Sequence, residues 1–123
     1  MMKMLNATEF RLMLYVKDFD GMRKFYEEIL CFPVLKSWDR GPQDKGIMFD
    51  TGSGIIELLL PKEEWQPIQG CKVSLEVKDV RALWNELKNV TPVVFSLQDN
   101  PWGDTSFCIT DPEGFHLTFF TKH

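Results

Sequence analysis

Arg11 and Lys72 set the chemistry this chain can do, because each falls on the same face of a strand as a set of apolar and acidic neighbours. Residues 10–16 alternate Phe10, Leu12, Leu14 and Val16 with Arg11, Met13 and Tyr15, the period of a strand with two unlike faces. Residues 71–77 alternate Cys71, Val73, Leu75 and Val77 with Lys72, Ser74 and Glu76 in the same way. On later strands Glu57 lies between Ile55 and Leu59, and Thr118 between His116 and Phe120. Arginine stays protonated, as does an unperturbed lysine at neutral pH, so neither offers a metal a lone pair. A dication about 5 Å from either would be repelled by roughly 6 to 7 kcal/mol at an effective dielectric of about 20. Two such terms rival the ~10 to 16 kcal/mol apparent affinity of a structural zinc site. The expected site therefore holds no metal and no other cofactor. His116 with Glu57 or Glu76 is a weaker alternative ligand pair on separate strands. Arg11's fork and the Lys72 ammonium suit a carboxylate or phosphate on a small ligand, with Met13, Tyr15, Leu59 and Phe120 as apolar wall. Arg11, Glu57, Lys72 and Glu76 read equally as a solvated ion network on a wet face.

The elements that must position these residues are written twice. Val-Lys-Asp occurs at 16–18 and at 77–79, 61 residues apart, and Asp50 and Asp111, Leu12 and Val73, Ile56 and Leu117, and Leu58 and Phe119 share that offset. Two copies with so long a period do not make a solenoid, which needs about three repeats of roughly 20 to 50 residues. In the first copy Asp18 sits as the N-cap of a helix, 19–30, whose stripe is Phe19, Met22, Phe25, Tyr26, Ile29 and Leu30. Strands follow at 34–37, 46–50 and 55–60, the last two joined by a Thr51-Gly52-Ser53-Gly54 turn. After a Pro- and Gly-broken connector, 61–70, the second copy has strand 71–77, a helix from Val80 to Leu87 capped by Asp79, and strands 93–97, 105–110 and 115–121. The expected fold is α+β: one domain over 1–123, with βαβββ repeats at 10–60 and 71–121 forming curled mixed sheets around a trough, helices outside. Loops 38–45 and 98–104 each carry a tryptophan, Trp38 and Trp102, placed to close over a ligand or to cover a core edge or subunit contact. Trp65 is a third loop tryptophan, and Trp84 on the helix stripe is a core residue.

Eighteen acidic and fourteen basic side chains give a net charge of −4, with no basic cluster for nucleic acid. The opening Met1-Met2-Lys3-Met4-Leu5 is broken by Asn6, Thr8 and Glu9, unlike a signal peptide, and no run approaches ~18 apolar residues, so no membrane partner is expected. Cys31, Cys71 and Cys108 have neither metal spacing nor an even count, which points to reduced, buried thiols and a cytoplasmic location.

Leu14-Tyr15-Val16-Lys17-Asp18, then Phe25-Tyr26, Ile29-Leu30-Cys31-Phe32 and the closing Asp111-Pro112-Glu113-Gly114 resemble the vicinal oxygen chelate superfamily of glyoxalases, bleomycin-resistance proteins and extradiol dioxygenases. Pro101-Trp102-Gly103 is similar to its antibiotic-binding branch. Cys31 stands where that family usually has glycine, which is expected to strain the helix exit, and Phe115 where it often has asparagine. The resemblance implies that a metalloenzyme's ligands would fall at Arg11, Glu57, Lys72 and Thr118, of which only Glu57 can ligate. It further implies a homodimer and a metal-free binding protein of the bleomycin-resistance type, taking an aromatic, anionic small molecule between protomers. Arg11, Met13, Tyr15, Trp38, Glu57, Leu59, Lys72, Trp102, His116, Thr118 and Phe120 are the expected contacts. A metal-dependent lyase or dioxygenase with another ligand set, and an interaction domain with no small ligand, are the alternatives.

Overall fold

The computed structural model describes residues 3–123; Met1 and Met2 of the opening segment lie outside the described residues. The chain forms two compact units, the first running to Trp65 and the second beginning at Gln66. The first contains β1 (Arg11–Tyr15), α1 (Phe19–Lys24) continuing into a π-helical turn (Phe25–Ile29), β2 (Val34–Asp39), β3 (Lys45–Asp50) and β4 (Ile55–Leu59). Its sheet has the order β1-β4-β3-β2, with β1 parallel to β4 and the other pairs antiparallel. The second contains β5 (Val73–Glu76), α2 (Val80–Leu87), β6 (Val93–Asn100), β7 (Asp104–Thr110) and β8 (His116–Lys122), in the order β5-β8-β7-β6. The expected α+β fold of two βαβββ repeats is the one found, as two open, mixed four-stranded sheets.

The 61-residue offset holds at the level of single hydrogen bonds. Leu12 pairs with Ile56, and Val73 with Leu117. Val16 N–H donates to Leu59 O at 2.9 Å and Val77 N–H to Phe120 O at 2.8 Å. Asp18 caps α1 through Gly21 N–H and Asp79 caps α2 through Ala82 N–H, both at 3.1 Å, so each helix starts one residue after its cap because a carboxylate takes a free first-turn donor. In the first unit Leu14, Met22, Phe25, Tyr26, Phe49, Ile56 and Leu58 form the core, with the Tyr26 and Phe49 rings 6.0 Å apart. In the second, Phe107 stands between Trp84 at 5.2 Å and Phe119 at 5.4 Å.

Several boundaries differ from the sequence reading. The first helix does not run as one α-helix to Leu30: Leu30 N–H reaches back five residues to Phe25 O at 3.0 Å, and apolar spacing carries no signal for so small a change in winding. β2 and β6 continue to Asp39 and Asn100, which shortens the two tryptophan loops and puts Trp38 on a strand. Cross-strand pairing of Trp38 with Gly46 and of Asn100 with Asp104 carries the ladders on where polar composition suggested loops. Of the cysteines only Cys108 is buried; Cys31 and Cys71 are exposed.

Cys31 has φ 59°, the left-handed region, where a Cβ is strained and glycine is favoured. Cys31→Gly is expected to stabilise the protein by about 0.5 to 1 kcal/mol, the relief of that strain less the entropy glycine adds to the unfolded chain. Urea unfolding measures it, and a destabilised variant would contradict the assignment of strain there.

Candidate functional site

The first sheet has one face turned to its helix and another lined by the residues singled out above. Along β1, Arg11, Met13 and Tyr15 are exposed while Leu14 is buried. Register then builds rows across the sheet. Met13 pairs with Glu57, Glu57 with Met48, and Met48 with Lys36. The next row is Tyr15, Leu59, Gly46 and Trp38, and Arg11 lies in the row of Ile55 and Asp50. A hollow of about 510 Å³, bordered by Glu9, Phe10, Leu35, Asp50, Gly54 and Ile55, opens beside the Arg11 row.

Trp38 is seated by its neighbour's missing side chain. A Cβ on Gly46 would fall 2.0 Å from a carbon of the indole ring, so the ring occupies the space that glycine leaves open. The Lys36 ammonium and the Arg40 guanidinium stand 6.0 and 5.8 Å from the ring centre, distances at which a cation is attracted to the π face. Arg40 also grips Asp44 through two hydrogen bonds, of 2.8 and 3.2 Å. That hydrogen bonding is the main cause holding the Asp44 carboxyl below its usual range and Arg40 above its own. Trp65 is not a ligand-facing ring: its N–H donates to Tyr15 O at 3.0 Å and Lys17 lies 5.8 Å from its centre, so it covers the end of β1.

Arg11 is already engaged. Its Nε donates to Glu9, and its Nη1 stands 3.8 Å from Glu57 Oε1. Glu57 is only 6% exposed, and Arg11, with its side chain 45% exposed, lies nearer to solvent. Sequence reasoning placed Arg11 and Glu57 together but missed Glu9, although a carboxylate two residues away on an extended chain lies on the same side and was there to be read.

In the second sheet Ser74 pairs with Thr118 and Glu76 with Phe120, so Thr118 and Phe120 share rows with the exposed side of β5. His116 opens β8 opposite Thr110. Lys72 precedes β5 rather than lying in it, and is exposed. Glu76 is paired with Lys122 at 3.9 Å. Trp102, in the short turn between β6 and β7, is 73% exposed. Asp99, near that turn, has its carboxyl lowered first by the Thr105 hydroxyl and then, less strongly, by Arg81 and His123. Of the three loop tryptophans of the sequence reading, Trp38 and Trp65 are half-buried and Trp102 is fully displayed.

Residues 10–119 match the glyoxalase/bleomycin resistance protein/dioxygenase superfamily. The chain belongs to this superfamily. Among solved structures, TioX from Micromonospora sp. ML1 superposes with a TM-score of 0.79 at 23% identity, covering 95% of this chain and all (100%) of that one. TnmS3, an antibiotic binding protein from Streptomyces sp. CB03234, gives 0.77 at 20% identity, covering 98% and 100%. A lactoylglutathione lyase from Agrobacterium tumefaciens gives 0.72 at 19% identity, covering 95% of each chain. At these identities the likeness shows the fold alone. A search among curated proteins finds no significant relative.

The resemblance puts the divalent-ion ligand positions of the superfamily's metalloenzymes at Arg11 and Glu57 in the first unit and at Lys72 and Thr118 in the second. In the first unit the one ligating side chain, Glu57, has a permanent cation 3.8 Å away. In the second, Lys72 is exposed and Thr118 offers a neutral hydroxyl. These residues do not fit such an ion, and among the described residues no group of three or more His, Cys, Asp or Glu is arranged to hold one.

Proposed function

We propose that this superfamily member is a metal-free, small-molecule-binding protein of the bleomycin-resistance type, its two repeats acting as one domain. The observation that carries this reading is the row Tyr15, Leu59, Gly46 and Trp38, an aromatic and aliphatic shelf in which the indole takes the space a side chain on Gly46 would fill. A planar, apolar ligand stacks on such a shelf with offset-ring energetics. Met13 and Glu57 line the next row, and in the second unit, taken by itself, Lys72, Trp102, His116, Thr118 and Phe120 are the contacts proposed. TnmS3, an antibiotic binding protein with the same fold, agrees with this reading. Its setting is a cytoplasmic homodimer in which the displayed Trp102 is covered; light scattering that finds only monomer at micromolar concentration would remove that part.

Naphthol, titrated against tryptophan fluorescence, is expected to bind saturably, and Trp38→Leu to weaken it by about 0.5 to 1.5 kcal/mol, the scale of an aromatic pair. Equal affinity for wild type and variant would place the ligand elsewhere. Elemental analysis of protein purified without chelator separates the alternative, a metal-dependent lyase or dioxygenase: stoichiometric zinc, nickel, iron or manganese would overturn the binding reading.

A further inference from the structure

Glu57 is the residue that the fold leaves unfinished. Among the described residues its Oε1 is the one buried side-chain polar atom without a hydrogen-bond partner. Arg11 does not supply one, since 3.8 Å is beyond a hydrogen bond and its Nε is committed to Glu9. Directly across the ladder on either side stand Met13 and Met48, whose thioethers have no proton to donate. A buried acceptor left in this state forfeits its hydration without a hydrogen bond in return, with only the longer ion pair to Arg11 to offset the loss, and most buried polar atoms in folded proteins are satisfied.

The surroundings also say which chemistry would complete it. Glu9 and Glu57 bear on a single guanidinium, so the cluster already holds more negative than positive charge. At Glu57 itself an anionic group would have to detach Glu9 from Arg11 and then sit beside a second carboxylate, while Lys36 and Arg40 stand at the Trp38 ring instead. A donor needs no such exchange. Met13 is 52% exposed, and an unbranched methionine moves aside at small cost, which opens a way to Oε1 from the exposed side of the sheet.

We propose that Glu57 Oε1 accepts a hydrogen bond from a hydroxyl or N–H group of an aromatic ligand lying on the Tyr15, Leu59 and Trp38 shelf, so that the site selects donor-bearing ligands over anionic ones. This rests on the binding reading above, and a donor takes the place of the anionic group expected from the sequence. A site with an unpaired buried acceptor rejects analogues that lack the donor more strongly than an apolar pocket discriminates by size.

The test uses three matched probes, naphthol, its methyl ether and naphthoate, titrated by ligand-observed NMR against wild type, Glu57→Leu and Glu57→Gln. Wild type is expected to bind naphthol about tenfold or more tighter than the methyl ether, the scale of a hydrogen bond to a charged acceptor, and tighter than naphthoate. In Glu57→Leu the first ratio is expected to fall to about one while the ether still binds. Glu57→Gln, which keeps the side-chain shape with a weaker, neutral acceptor, is expected to give an intermediate ratio, and it carries the test if the leucine variant does not fold. A preference for naphthoate in wild type, or a naphthol preference undiminished in either variant, overturns the inference. If the ether and naphthol bind wild type equally, the shelf stands and the role of Glu57 falls. If none of the three binds, the ligand-binding reading falls and this inference with it.

Discussion

Asp111→Ala is expected to lower the unfolding free energy by about 3 to 5 kcal/mol, a large share of the ~5 to 15 kcal/mol that a domain possesses. Asp111 is 1% exposed, and its Oδ1 accepts from Glu113 N–H at 2.9 Å and from Phe115 N–H at 3.0 Å. Each bond to a charged acceptor contributes about 1.5 to 3 kcal/mol, and Phe115 N–H, buried with its side chain, would be left without its carboxylate acceptor. The turn these bonds hold delivers β8, and with it His116, Thr118 and Phe120. Asp111→Asn keeps an oxygen at Oδ1 and should recover roughly half of the loss, because the geometry survives while the charge does not. The repeat supplies an internal control: Asp50 makes the corresponding turn through Gly52 N–H at 2.7 Å, but it is only half-buried, with solvent available to replace it. Asp50→Ala should therefore cost about 1 kcal/mol. Urea unfolding of the three variants decides this, and an Asp111→Ala loss below that of Asp50→Ala would refute the account of the turn.

Gly46→Ala should cost about 1 to 3 kcal/mol, the range of overpacking in a buried position, and should weaken naphthol binding together with stability. Gly46 is buried on β3, directly across from Trp38, and a methyl group there would occupy the ring. The sheet cannot yield easily, because Gly46 also pairs with Leu59 on its other side. The indole must leave instead, taking the shelf with it. In a Trp38→Leu background the same glycine change should be far milder, leaving a coupling of about 1 kcal/mol or more in the double-mutant cycle. Additive losses would mean that the ring and the glycine do not compete for the same space.

Much of the architecture was legible without coordinates because its signals are short-range. Alternation in β1 and β5, the caps Asp18 and Asp79, and the turn aspartates Asp50 and Asp111 each act within a few residues. The 61-residue offset aligns the two copies, so the parallel register found for Leu12 with Ile56 recurs for Val73 with Leu117. The faces of the sheets, and hence the company of Arg11, Met13, Tyr15 and Glu57, are a consequence of period two. What tertiary structure alone decided is which atoms meet. Arg11 has two carboxylates within reach, and the rotamers that gave it Glu9 and left Glu57 Oε1 without a hydrogen bond depend on packing between strands. Trp38 became a strand residue lying on Gly46, and Trp65 a cover for Tyr15, through contacts 8 and 50 residues apart in sequence. Cys31 stands where the superfamily usually has glycine, and its left-handed φ agrees; the π turn before it, closed by Leu30 N–H on Phe25 O, has no sequence signal. Local patterns assign a residue to a strand, a helix or a face; the donor opposite a given oxygen is chosen by side-chain geometry that no spacing encodes.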